Sequence, residues 1–62
     1  MDKELMIVTL TTQKTYLLNL RKNYFDNHPH MSTEHMEVIS KFIDSSIDTL
    51  NYRIEDIKRL DI

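Results

Sequence analysis

The chain offers a single place to turn. Its 62 residues include no glycine and one proline, Pro29, which lies in the polar stretch DNHPHMS at residues 26–32. Proline disfavours a helical conformation in the residue before it, here His28. Asn27, Ser32 and Thr33 add turn and capping chemistry beside it. On both flanks apolar residues recur at helical spacing. The reading is therefore all-α, an antiparallel two-helix hairpin forming one domain over residues 1–62. Helix 1 is expected over about residues 3–25, a loop over about 26–32 and helix 2 over about 33–60. Ser32 or Thr33 is placed to cap helix 2, and Glu34 then sits in its first turn, where a negative charge suits the helix dipole.

Helix 2 has the sharper pattern. Met36, Ile43, Leu50 and Ile57 are seven residues apart, and Ile47 and Ile54 interleave with them. This is an a/d repeat sustained over three heptads, as in a coiled-coil seam. Its first a position is Ser40. Glu37, Asp44, Asp48 and Glu55 project together along one flank of the seam. In helix 1, Met6, Leu10, Leu17, Leu20 and Tyr24 recur at 3.6-residue spacing. The β-branched run IVTLTT weakens its start, so the first turns are expected to fray. A second apolar strip, Ile7, Leu18 and Phe25, lies to one side, with Lys14 and Arg21 between the two strips. The combined apolar arc of roughly 220° is wider than one partner helix covers. Helix 2 is expected to cover the main strip. A second copy covering the other would make a homodimer, a four-helix bundle.

Composition narrows the function classes. A chain this short buries only ~60% of its unfolded surface. With no cysteine there is neither a disulfide nor a thiolate metal site. A net charge of −2 and a pI of about 5.8 argue against a nucleic-acid partner. Without glycine nothing resembles a glycine-rich phosphate-cradling loop or a dinucleotide fingerprint. The run Leu5–Val8 is too short to cross a membrane and no basic leader precedes it. A soluble cytoplasmic protein is the expectation.

The stretch Ser40-Lys41-Phe42-Ile43-Asp44, with Ile47 three residues on, carries the functional signal. A short helical hairpin with Ser-x-x-hydrophobic-Asp in its second helix resembles the sporulation stage-zero E-type aspartyl-phosphate phosphatases of bacilli, whose signature is Ser-Gln-Glu-Leu-Asp followed by a hydrophobic residue. Ser40 and Asp44 match, and Ile43 replaces Leu. Lys41 and Phe42 stand where the family has Gln and Glu, and the family tyrosine expected near Leu50 is absent. The resemblance implies a negative regulator of sporulation that docks on a phosphorylated response regulator and hydrolyses its aspartyl phosphate. It implies no cofactor of the hairpin's own, since the regulator's receiver domain supplies magnesium. Asp44 would hold the attacking water in line, and Ser40 would bind the phosphoryl group or fix the Asp44 rotamer. Lys41, Phe42, Ile43, Ile47 and Asp48 would form the docking surface.

Other readings compete. The heptad seam alone fits a non-catalytic helical module that binds or blocks a regulator. Ser40 also reads as a small seam residue bonded to a carbonyl one turn back. Asp44 reads equally as a flank charge paired with a base of helix 1. Asp44 and Asp48 together make a poor cation site. Asp48 and Asn51 form an acid–amide pair at i, i+3. His28, His30 and His35 offer three imidazoles around the loop, but no acid or thiol completes a metal shell there.

Overall fold

The computed structural model describes residues 2–60. It is an antiparallel helical hairpin of α1, Lys3–Asn27, and α2, Thr33–Arg59, with extensive contact between the two helices. The Cα envelope is a rod 48 × 17 × 10 Å.

Local chemistry sets each helix end. Asp2 caps α1, its carboxylate accepting from the Leu5 N–H at 3.1 Å, and Glu4 follows in the first turn. The β-branched stretch is helical throughout. The Thr9 and Thr12 hydroxyls donate to the Leu5 and Val8 carbonyls, both at 2.8 Å, one of the arrangements threonine takes inside a helix. A clamp sequence reading missed adds to this. Lys3 Nζ donates to the carbonyls of Lys58 at 2.8 Å and Leu60 at 2.9 Å, satisfying orphan groups at the far end of α2.

α1 runs two residues past its expected end. It stops where Pro29 forces His28 out of the helical region, to φ −131°, ψ 64°. The His28 N–H still reaches the Phe25 carbonyl at 3.2 Å. Its ring stacks on Tyr24 at 4.4 Å between centroids, with Nδ1 2.8 Å from the Tyr24 carbonyl oxygen. The Met31 N–H donates to the His28 carbonyl at 3.2 Å and closes a four-residue turn with Pro29 at its second position. Ser32 then caps α2, accepting from the His35 N–H at 3.2 Å.

The core is one stripe of α2. Ile43, Ile47, Leu50, Ile54 and Ile57 are buried, and no residue of α1 is. Met36, first in the heptad series, stays 39% exposed. α1 meets this stripe with the expected face turned to one side: Met6, Leu10, Leu17 and Tyr24 of the main strip stay in it and Leu20 leaves it. Lys3, Leu10, Lys14, Leu17, Arg21 and Tyr24 are half-buried, together with Met6, Ile7 and Phe25. At about 100° per residue this places the contact line between the two apolar strips, roughly 50° from the centre of the main one. Leu20 is therefore 41% exposed, although it belongs to the strip expected to be covered. The cause is that α2 is narrow and α1 wide. Centring α1 between its strips brings both margins against α2, and the Lys14 and Arg21 stems pack in the middle with their charges directed outward.

Candidate functional site

Ser40 and Asp44 are successive-turn neighbours on one flank of α2, the flank that also carries Glu37, Asp48 and Glu55. Ser40, at the seam edge, is half-buried. Its hydroxyl makes no hydrogen bond among the described residues. Ser46 and Thr49 instead bond back to the Phe42 and Ser45 carbonyls at 3.1 and 3.0 Å. The back-bonded arrangement considered for Ser40 is therefore not the one adopted, and its hydroxyl is available.

The Asp44 carboxylate is 55% exposed and forms an ion pair with the Arg21 guanidinium of α1, itself 32% exposed. Rotation of α1 creates this contact by carrying Arg21 into the seam, facing the acidic flank. Sequence reading allowed a helix 1 base for Asp44 but did not single out Arg21. The pair leaves Asp44 with free lone pairs toward solvent, because a carboxylate has about four acceptor positions.

The structure divides the expected docking residues. Lys41 and Asp48 are exposed, about 60° and 40° around α2 from Asp44. Phe42 is 73% exposed but lies about 160° around the helix from Asp44, where it lines a groove with Tyr16 and Leu17 on the other side of the hairpin. One compact partner surface meeting Asp44 does not also reach Phe42. Ile43 and Ile47 need a correction as contact residues. They are only 4% and 9% exposed, because α1 lies over them. Their role is to hold α2 against α1 and so to fix the direction of the Ser40–Asp44 flank. The acid–amide pair Asp48 and Asn51 lines a shallow depression with Tyr52, Glu55, Asp56 and Arg59 on the outer face of α2.

Among the described residues, no group of three or more histidines and carboxylates is placed to hold a metal ion, so His28, His30 and His35 do not converge. Among the described residues no helix is long and apolar enough to cross a membrane. No protein-family model, curated protein sequence or solved structure is significantly similar to the chain.

Proposed function

We propose that the hairpin is an aspartyl-phosphate phosphatase that acts in the cytoplasm on a phosphorylated response regulator and thereby opposes sporulation. The observation that carries the reading is the pairing, on one exposed flank, of the Asp44 carboxylate with an unengaged Ser40 hydroxyl one turn earlier. The hairpin layout and the Ser-x-x-hydrophobic-Asp spacing support it further.

The chemistry asks little of the hairpin. In an aspartyl phosphate, water attacks phosphorus as the P–O bond to the acyl oxygen breaks. The products are the regulator's free carboxylate and inorganic phosphate. The leaving carboxylate is stable and the receiver domain supplies magnesium for the phosphoryl charge, so the helper contributes position and electrostatics. Asp44 accepts a hydrogen bond from the water and holds it in line. Ser40 donates to a phosphoryl oxygen. Arg21, which steadies Asp44, adds a guanidinium suited to phosphate. Lys41 and Asp48 border the docked surface.

A second reading keeps the docking and drops the hydrolysis. It is favoured by two observations: Asp44 is already partnered by Arg21, and Lys41 replaces the family Gln. The two separate on Asp44→Ala. Loss of phosphate release with helicity and regulator binding intact supports the phosphatase. Unchanged release assigns hydrolysis elsewhere, and binding without release in the wild type leaves the non-catalytic module.

A further inference from the structure

We infer that the Arg21–Asp44 pair is an exchangeable latch: a phosphoryl group on the partner draws the Arg21 guanidinium away from Asp44, and Arg21 is thereby the residue that tells a phosphorylated partner from an unphosphorylated one. The inference rests on the proposed docking to a phosphorylated regulator. It holds whether or not hydrolysis follows.

The pair is single-pronged. Arg21 Nη1 donates to Asp44 Oδ1, and neither Nε nor Nη2 donates to a protein acceptor among the described residues. A guanidinium has five donors in a fork that fits two oxygens of one anion, so most of this fork is unused. Arg21 is also placed to turn without moving α1. Its stem is packed in the seam and its charge lies at the solvent edge, with the side chain 32% exposed and that of Asp44 55% exposed. Competition then decides who holds the fork. A ligand shifts such an exchange only by its differential affinity. An unphosphorylated partner offers the carboxylate of its acceptor aspartate, which matches Asp44 in charge and geometry, so Arg21 gains nothing by changing partner. A phosphoryl group carries about −2 charge and presents oxygens for two-pronged contact, so the exchange is favourable. The same step uncovers the Asp44 carboxylate beside the phosphoryl group, which reconciles its pairing in the free hairpin with the holding of a water. No other cation stands in for Arg21. Lys14, on the same line of α1, is two turns or ~10 Å away, and Asp44 has no second ion pair among the described residues.

The test compares the affinity of the full chain for a sporulation receiver domain in magnesium, bare and with fluoroberyllate on its aspartate, a phosphoryl mimic that is not hydrolysed. Arg21→Gln should weaken binding of the loaded domain at least about tenfold and leave the bare domain unchanged. Asp44→Asn, which removes the competitor, should tighten binding of the loaded domain by less than about fivefold, and only while Arg21 is present. Lys14→Gln should leave the loaded-to-bare ratio unchanged. Equal weakening of both forms by Arg21→Gln overturns the inference, since Arg21 then serves docking or folding alone. So does the same gain from Asp44→Asn without Arg21, or a ratio as sensitive to Lys14 as to Arg21. If Arg21→Gln loses helicity, Arg21→Lys carries the comparison: it keeps the stem and the charge, and it should lose part of the ratio with the fork. If neither form of the domain binds, the docking proposal fails separately and the hairpin alone decides the latch. In about 50 mM inorganic phosphate, against chloride at matched ionic strength, the NMR signals of Arg21 Nε–H and Asp44 Cγ should then move together, and signals that stay in place overturn it.

Discussion

The Arg21–Asp44 pair decides how free Asp44 is to act on a partner, and its strength can be worked from the structure. With the side chains 32% and 55% exposed, both charges sit in high dielectric. Unit charges about 4 Å apart attract by ~1 kcal/mol in water and by ~4 kcal/mol in a partly shielded surface site. Ordering a long arginine and losing hydration offset much of that, and measured exposed pairs fall at ~0.2–1 kcal/mol. The expected coupling is therefore below about 1 kcal/mol. Releasing Asp44 from Arg21 then costs less than a factor of about 5 in any partner equilibrium. The assay is a double-mutant cycle of Arg21→Gln and Asp44→Asn in urea, followed by helix circular dichroism. The cycle is needed because Arg21→Gln alone also removes stem packing in the seam. With a urea slope of ~1 kcal/mol/M, the coupling appears as a midpoint difference below about 1 M. It should shrink in 1 M NaCl, where the screening length falls to ~3 Å. A coupling above about 2 kcal/mol that ignores salt would refute the reasoning, making Asp44 a structural tie between the helices.

Two further substitutions test the fold. Ile47→Ala, in the middle of the buried stripe, should cost ~2–5 kcal/mol and leave so small a domain largely unfolded at 25 °C by circular dichroism; a folded variant with a nearly unchanged midpoint would contradict the single-stripe core. Lys3→Met removes both contacts to the last α2 carbonyls, so amide exchange should quicken in the final turn of α2 and not in its middle, as hydrogen exchange by NMR would show.

The parts that were legible in the sequence were those decided by local rules. Pro29 without any glycine dictates one turn. Ile43, Ile47, Leu50, Ile54 and Ile57 of α2, spaced by threes and fours, name their own buried face. Ser40 and Asp44 share a flank because they are one turn apart. The position of Lys14 and Arg21 between the two strips was legible, but not the turn of α1 that centres the contact line on them. A face centred on apolar residues alone misses a seam whose middle is built from cationic stems. The Arg21 partner of Asp44 and the separation of Phe42 from the acidic flank follow from that geometry and from helix angles. The Lys3 clamp joins residues 55 and 57 positions apart, beyond any periodicity.

The most direct test of the phosphatase proposal is the rate of inorganic phosphate release from a phosphorylated sporulation receiver domain in magnesium, with and without the hairpin. The account predicts release well above the receiver's own decay with wild-type protein, falling to that decay with Asp44→Ala. Release at the spontaneous rate while the wild-type hairpin is bound would contradict it and leave the non-catalytic binding module in its place.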